Sequence, residues 1–499
     1  MALRLGFTCW LVYTLHFATN MVRENYLALA IGDDFSFRVD PYAGLHDDIF
    51  EHPGHGWHIG SNPGASMVGA IPYAFSRPLI DRIVASVQRA RHEAGRVGPP
   101  HYDAPTEKDR RFYETAWRRG VDVKFGLASF VMQSFAMAVV SALGVVVMYL
   151  LLAGHLGSST TALFLAILYA FGTPVFFRTG FLNHNLMLAH AGLFGFAVLG
   201  NRWNWSGATR DRIFGLAGLA GGFSVLLDYS GLVFLGGLWI YGLLRYRREI
   251  IGRAWLRPAF AYAAGAVGPL VLLWLYQWRS FGHAFLPPQH WMPLVEWSDQ
   301  GYQGIVWPQL PLAGALAFDY RFGLFVSCPL FLLAFAAPFV DRRPRHLPGL
   351  DLGSCLAFFL AFLVFFSCVH YTRWQFNTGV RYLAAVFPFL FLPVAVVLLR
   401  LPPLIGRLIG VGSIVLAWSM AMARDVSGGK VDLADPDTGL GVLDPLLTVL
   451  VGGFKLPALT TLSRMEQFGD VARDGVSPLP LLLFAAALLL VVWMPRKRE

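Results

Sequence analysis

Charged residues are scarce in this sequence. Only 14% of the 499 residues are Asp, Glu, Lys or Arg, whereas soluble globular domains carry roughly 25%. Hydrophobic residues make up 56% of the chain, and the mean hydropathy is +0.52. This composition excludes an ordinary soluble protein and predicts a polytopic membrane protein. The net charge of +9 does not indicate nucleic-acid binding, because the arginines stand in short clusters between apolar runs.

Cysteine is also scarce, and its spacing matches no metal or disulfide pattern. The four cysteines lie in or beside apolar runs, without a CxxC pair and without a neighbouring histidine ladder. Neither a disulfide framework nor a thiolate metal site is indicated. The sequence also lacks an internal repeat or inverted symmetry, which disfavours a transporter built from repeats.

Apolar runs are abundant, and they predict twelve membrane spans. A helix rises ~1.5 Å per residue and the bilayer core is ~30 Å thick, so about 20 residues are needed to cross it. The runs are residues 5–21, 125–153, 160–177, 184–200, 213–227, 230–244, 259–277, 322–340, 351–370, 381–399, 404–422 and 479–494. A secretory signal peptide is the rival interpretation of the first run, but no small-x-small cleavage site follows it. The predicted fold class is an all-α polytopic membrane protein.

The basic loops predict the orientation of these spans. Two or more basic residues occur in each of NRWNWSGATRDR, RYRREIIGRAWLRP, DRRPRHLPG, RLPPLIGR and the tail PRKRE. An even number of spans places all of them on one side, which the positive-inside rule makes cytoplasmic. Both termini are then cytoplasmic, and loops 22–124, 278–321 and 424–478 are external. The expected location is the inner membrane of a bacterium.

The stretch from Asn20 to Tyr73 carries most of the clustered carboxylates. Arg23 and Glu24 follow the first apolar run, and five aspartates come after them in one loop: Asp33, Asp34, Asp40, Asp47 and Asp48. A carboxylate just outside a bilayer, facing a wet cavity, suits a group that accepts a proton. A merely solvated acidic loop is the alternative, and the sequence leaves both open.

Two helices are expected later in the same long loop. Ile80, Ile83, Val84 and Val87 recur at helical spacing, and residues 107–120 mix aromatic side chains with arginines. Such helices suit the membrane surface. Packed helices of a small external domain are the alternative.

Several segments occur in an order that is familiar from one family. They are RENYLALA (23–30), GWHIGSNPGASMVGAIPYA (56–74), AFGTPVFFRTGFLNHN (170–185), LYQWRSFGHAF (275–285), FDYRFGLFVSCPLFLL (318–333) and RWQFNTGVRYLAAVFPFL (373–390). Over residues 5–400 the chain resembles the GT-C membrane glycosyltransferases, in particular the bacterial branch similar to dolichyl-phosphate-mannose–protein mannosyltransferases and lipid A aminoarabinose transferases. That family has an acidic pair after its first span. Here Glu24 matches the second acid and Arg23 replaces the first, while Asn62 stands where lysine is common.

The resemblance implies a fold and an activity. The expected fold is a GT-C-like bundle over residues 1–423, followed by an external loop, a last span and a basic tail over residues 424–499. The expected enzyme moves a sugar from a polyprenyl-phosphate carrier to a hydroxyl of a protein, lipid or glycan on the external face, with inversion. Membrane lipids are further partners, and nucleic acid is not one. No cofactor is required, although a divalent cation is a candidate to which Asp40 and His184 could contribute.

The resemblance also assigns roles to individual residues. Glu24 is the expected catalytic base, with Asp40 as a supporting carboxylate. Arg381, and after it Arg373, are expected to bind the carrier phosphate, because a guanidinium stays charged and binds phosphate in a fork. The expected substrate-binding residues are Arg23, Asn62, His184 and Tyr382. Simpler roles stay open: an interfacial histidine for His184, a membrane-surface anchor for Arg381, and a helix cap for Asp228.

Two other classes of function stay open. A secondary transporter or flippase would carry ionisable groups at mid-span, whereas the charges here crowd the predicted outer ends of the spans. A non-catalytic protein of the same fold could bind a lipid-linked glycan. The substitutions at Arg23 and Asn62 keep this second alternative open.

Overall fold

The protein is mostly helical, with 74% of it in helices. The computed structural model describes residues 1–19, 21–96, 98–104, 106–200, 209–249, 255–341, 346–376, 381–423, 430–431, 440–468 and 477–495. Several predicted features lie outside these residues. They are the basic segments at 201–208, 250–254, 342–345 and 496–499, the turn at 377–380, and the parts 424–429, 432–439 and 469–476 of the loop at 424–478.

The α-helices follow one another along the chain, with long connections before α3 and α13. In chain order they are α1 (Ala2–Leu15), α2 (Arg23–Asp34), α3 (Gly64–Glu93), α4 (Glu107–Arg118), α5 (Asp122–Met132), α6 (Ala138–Leu156), α7 (Ser159–Phe171), α8 (Val175–Arg178), α9 (His184–Gly200), α10 (Arg210–Leu227), α11 (Leu232–Arg245), α12 (Leu256–Phe281), α13 (Leu310–Phe318), α14 (Leu324–Ser327), α15 (Ala337–Val340), α16 (Gly349–Ser367), α17 (Phe387–Arg400), α18 (Pro403–Met422), α19 (Leu443–Gly452), α20 (Pro457–Ser463) and α21 (Leu479–Trp493).

Short strands and 3₁₀ helices fill the connections. Strands β1 (Ile49–His52) and β2 (Gly56–Ile59) form an antiparallel hairpin in which Ile49 lies opposite Ile59. Strands β3 (Gln375–Phe376) and β4 (Lys430–Val431) pair across a long separation in sequence. The 3₁₀ helices are Asp40–Tyr42, Tyr229–Gly231, Pro288–Trp291, Pro329–Ala336, His370–Arg373, Tyr382–Val386 and Glu466–Phe468.

The apolar helices support an integral membrane protein. Among the described residues, five helical segments are long and apolar enough to cross a bilayer: Asp122–Leu156, Leu256–Phe281, Gly349–Ser367, Tyr382–Arg400 and Pro403–Met422. The first consists of α5 and α6 joined by the π-helical turn Gln133–Met137, and the fourth consists of the 3₁₀ helix Tyr382–Val386 and α17. The bent pair α19 and α20, with an angle of 67°, would make a sixth. Shorter apolar helices include α1, α7, α9 and α21. The count of twelve spans therefore stays a prediction.

Some predicted runs are divided in the structure. The run at 322–340 consists of α14, the 3₁₀ helix Pro329–Ala336 and α15, because Pro329 and Pro338 lack the N–H that a continuous helix needs. The first run is also shorter than predicted, since α1 ends at Leu15.

Close packing of α10 against α12 fixes one side of the bundle. A Cβ atom at Gly218 would strike the carbonyl oxygen of Tyr262, and one at Gly222 would approach that of Ala266 to 2.5 Å. Small residues let helices approach closely, as is common within membranes. This contact fixes the C-terminal end of α10, which leads directly into Asp228.

The long first loop forms a packed helical unit. The Asp33 carboxylate at the end of α2 accepts hydrogen bonds from Tyr73 on α3 and Lys124 on α5, both at 2.7 Å. Arg91 and Asp122 make a bidentate ion pair that ties the end of α3 to α5. The predicted helices over 80–87 and 107–120 are confirmed, and these contacts favour the packed-domain alternative.

Candidate active site

Polar side chains from distant parts of the chain meet at one end of the bundle. Helix α10 packs against α9 and α11, and α11 packs against α16. Arg245 at the end of α11 donates to the carbonyl of Gly200 at the end of α9 and to Asp351 in the first turn of α16, so these three helix ends lie together at the opposite end of the bundle. The start of α9, the α10–α11 turn and the end of α16 therefore share one end. The first turn of α2 lies there as well, because Glu24 contacts His184.

Glu24 lies in the first turn of α2 and is 5% exposed. Its Oε1 atom accepts a hydrogen bond from Nδ1 of His184 at 2.6 Å and lies 3.3 Å from Nε of Arg23. Burial raises the pKa of Glu24, but its interaction with His184, which includes their hydrogen bond, and the charge of Arg23 outweigh burial and hold the pKa well below its usual range. Glu24 is therefore an ionised carboxylate clamped by two donors.

His184 connects Glu24 to a second carboxylate. It is the first residue of α9, and its Nε2 atom lies 3.9 Å from Oδ2 of Asp228. Asp228 also caps the following 3₁₀ helix, since its Oδ1 atom accepts a hydrogen bond from the backbone N–H of Ser230 at 2.8 Å. The cap expected from the sequence is confirmed, while the other oxygen of Asp228 remains directed toward the histidine.

Arg23 extends the cluster toward the acidic loop. Its Nη1 atom donates to Oδ2 of Asp48 at 3.1 Å, while its Nε atom faces Glu24. We call Arg23, Glu24, Asp48, His184 and Asp228 the Glu24 cluster. It combines a fixed cation, a histidine and three carboxylates at the predicted membrane surface.

Arg381 and Tyr382 are connected to this cluster through Tyr371. The Arg381 guanidinium lies over the Tyr382 ring, with 4.3 Å between its carbon and the ring centroid, and its backbone N–H donates to Oε1 of Gln375 at 3.0 Å. Tyr371 packs against Tyr382 and is within electrostatic reach of Asp228, Arg23 and Arg381. Desolvation of the Tyr371 hydroxyl, together with the charge of Asp228, raises its pKa above the ordinary value.

Other predicted site residues take different positions. Asp40 accepts two hydrogen bonds of 3.0 Å from Arg38 and one from the backbone N–H of Trp57; within the described part of the chain it makes no contact with Glu24. Asn62 is buried and donates to the carbonyl of Val225 at 2.7 Å, so it supports the end of α10.

Arg373 ends the 3₁₀ helix that contains Tyr371 and is half-buried. The metal site considered from sequence is not assembled, because Asp40 and His184 bind different partners. Over the described residues, no group of three or more His, Cys, Asp or Glu side chains could hold a metal ion.

Comparisons with known proteins give no relative for this chain. No family model matches it, and neither the curated proteins nor the solved structures contain a significant match.

Sequence reasoning did not assign functional roles to Asp48, Asp228 or Tyr371. Asp48 was one of five aspartates in a loop, and nothing in the spacing distinguished it from the others. Asp228 offered a usable signal, because the LLDYS turn lies on the same predicted side as Glu24 and His184. Tyr371 precedes Arg373 by two residues but belongs to no polar pattern.

Proposed function

We propose that this protein is a glycosyltransferase that uses a polyprenyl-phosphate-linked sugar as its donor. The observation that carries the proposal is the hydrogen bond of 2.6 Å between Glu24 and His184, two residues 160 positions apart, in a cluster that Tyr371 connects to Arg381. An acid-base pair next to guanidinium groups suits a reaction in which a hydroxyl loses a proton and a phosphate leaves. The resemblance to GT-C enzymes supplies the substrate class.

In the proposed reaction, the acceptor hydroxyl attacks the anomeric carbon of the sugar, with inversion. Its proton passes to the Glu24–His184 pair, and the bond between that carbon and the carrier phosphate breaks. Arg381 stabilises the departing phosphate, because a guanidinium stays charged and binds two phosphate oxygens in parallel. Arg23 adds a second positive charge near the same place. The acceptor is a protein, lipid or glycan, and no step needs a metal.

The proposal includes a GT-C-like bundle of about twelve spans in a bacterial inner membrane, with both termini cytoplasmic. Its orientation can be tested by cysteine labelling in a background without the four native cysteines. An impermeant maleimide added from outside should label Glu51→Cys on β1 and should not label Thr160→Cys at the start of α7. Both side chains are exposed. The reverse pattern would overturn the orientation and an externally facing site.

The activity itself is tested with the full chain in nanodiscs and undecaprenyl phosphate carrying a tritium-labelled hexose or pentose. Transfer of label to a hydroxyl acceptor, with release of undecaprenyl phosphate, is the expected result. Donor binding measured by native mass spectrometry without any transfer would favour the non-catalytic alternative. Movement of intact donor across a liposome membrane would favour a flippase. Either result, or the absence of binding to every donor, would contradict the proposal.

A further inference from the structure

Two side chains at the proposed site could receive the acceptor proton. Glu24 and His184 share one hydrogen bond, and the sequence alone predicts Glu24 as the base. We infer that Nε2 of His184 receives the proton and that Glu24 is the positioning residue that holds the imidazole. This inference rests on the proposed glycosyl transfer and names the proton acceptor within it.

The Glu24 carboxylate already accepts from, or pairs with, two neighbouring side chains. Its Oε1 atom faces Nδ1 of His184 at 2.6 Å and Nε of Arg23 at 3.3 Å, and only 5% of its side chain is exposed. A carboxylate that two cationic or polar donors stabilise in its ionised form is a weak base. The same contacts make it a strong support for an imidazole ring.

The contact with Glu24 determines the tautomer of His184. An ionised carboxylate only accepts hydrogen bonds, so the proton of a neutral imidazole must be on Nδ1, the atom that faces Glu24. The lone pair is then on Nε2. Among the described residues, Nε2 has no hydrogen-bond partner, since Asp228 is 3.9 Å away. The basic atom of the pair is therefore free to accept a proton.

Two carboxylates stabilise the positive charge that forms on the His184 ring. Once Nε2 is protonated, the imidazolium lies between the carboxylates of Glu24 and Asp228, with Arg23 beyond Glu24. The negative charges of these two carboxylates offset the repulsion between the imidazolium and the positive N-terminal end of the α9 dipole. A carboxylate behind a histidine supports proton transfer in the same way in hydrolase triads.

The position of His184 is rigid, as proton transfer requires. The side chain of Asn183 accepts a hydrogen bond from the backbone N–H of Leu186 at 3.3 Å in the first turn of α9, and nearly all of the rest of α9 is buried in the bundle. The His184 side chain is 13% exposed, so the ring can still meet a substrate. A rigid element that carries one accessible polar atom is a suitable base for a positioned acceptor.

The step balances without any further reactant. The O–H bond of the acceptor breaks and its proton binds Nε2, while the oxygen forms a bond to the anomeric carbon. The bond from that carbon to the phosphate oxygen breaks, and the electron pair leaves with the phosphate. The imidazolium then returns its proton to water or to the released phosphate.

The decisive variant is His184→Asn in nanodiscs, because the asparagine amide can still donate to Glu24 but has no basic nitrogen. If His184 is the base, turnover falls by roughly 10² or more, while donor binding by native mass spectrometry is unchanged. If Glu24 is the base and His184 only orients it, His184→Asn keeps turnover within a few-fold of wild type. That result would overturn the inference and leave the glycosyltransferase proposal intact.

Chemical rescue of a second variant provides an independent test of His184 as the base. His184→Ala should regain turnover when imidazole is added, by roughly 10-fold or more at saturating imidazole, whereas Glu24→Gln should not respond to imidazole. Absence of rescue in a His184→Ala protein that still binds donor would also contradict the inference. A wild-type protein that transfers no sugar from any donor would instead contradict the proposed function.

Discussion

The two ends of the helical bundle carry polar clusters that are built differently. The Glu24 cluster lies where α9 begins and α16 ends. At the opposite end, Asp351 in the first turn of α16 meets Arg245, Tyr241 and His155, which we call the Asp351 cluster. The same helices therefore carry buried charge at both ends.

The Asp351 cluster is closed. The Asp351 side chain is 2% exposed, and its Oδ1 atom accepts hydrogen bonds from Arg245 and Tyr241, both at 3.0 Å. The second nitrogen of the guanidinium, Nη2, donates to the carbonyl of Gly200 at the end of α9. Each contact joins one helix end to another, so this network holds the bundle together.

The Glu24 cluster is open by comparison. Asp228 is 25% exposed, and the nearest atoms of His184 and Asp228 are 3.9 Å apart, which is too far for a hydrogen bond. A buried hydrogen-bonded carboxylate such as Asp351 stiffens a fold, whereas polar atoms at an accessible site are available to a ligand. The comparison predicts that substitutions at one end change chemistry and substitutions at the other change stability.

Glu24→Gln is expected to have the largest effect on turnover. The neutral amide keeps the size of the side chain but removes the charge that supports His184, so turnover should fall by roughly 10² or more. The melting temperature and donor binding should stay close to wild type, as measured by scanning fluorimetry and native mass spectrometry. Wild-type turnover in this variant would remove Glu24 from the chemistry.

Asp351→Ala is the matched change at the closed end. It leaves Arg245 without its carboxylate, and removing one partner of a buried ion pair costs ~3–5 kcal/mol. The apparent melting temperature in nanodiscs should therefore fall clearly, while turnover per folded molecule is retained. Asp351→Asn, which keeps an acceptor for Tyr241, should fall between wild type and Asp351→Ala. A loss of turnover without a loss of stability would contradict the division between the two ends.

Substitutions of Arg381 test whether this side chain binds the phosphate of the donor. Arg381→Ala should weaken binding of undecaprenyl-phosphate sugar by roughly 10- to 100-fold, the value of one or two charge-assisted hydrogen bonds. Arg381→Lys keeps the charge but loses the fork and should have an intermediate effect.

The control for Arg381 is Arg247→Ala, which removes an equal charge from an exposed position after α11, at the other end of the bundle. Donor affinity is measured for all three variants by native mass spectrometry. Equal affinities for wild type, Arg381→Ala and Arg247→Ala would show that Arg381 does not bind phosphate.

Several helices were predictable because long apolar runs in a sequence identify membrane helices. The runs at 259–277, 351–370 and 404–422 closely match α12, α16 and α18. The breaks within 322–340 were harder to place, because prolines are tolerated in membrane helices and only packing decides whether they interrupt one.

The site was predictable only in part. Glu24 stood out because it follows directly after the first apolar run, and the structure places it in a cluster of charges. Its hydrogen bond to His184 spans 160 residues, and no periodicity in the sequence encodes such a contact. Asp40 was assigned wrongly to the site because the sequence alone does not distinguish the five aspartates of this loop. Only the folded loop shows that Asp48, and not Asp40, contacts Arg23.

Asp40→Asn is expected to have the smallest effect of these substitutions. Its partner Arg38 is mostly exposed, and such surface ion pairs contribute only ~0–1 kcal/mol. Turnover should stay within about 2-fold of wild type, because nothing connects this pair to the Glu24 cluster among the described contacts.

Asp48→Asn is the informative companion from the same loop, since it loosens the contact of 3.1 Å that holds Arg23. Assayed side by side in nanodiscs, Asp48→Asn should lose more turnover than Asp40→Asn. If Asp40→Asn were inactive while Glu24→Gln remained active, the acid-base centre would lie in the acidic loop rather than at the start of α2.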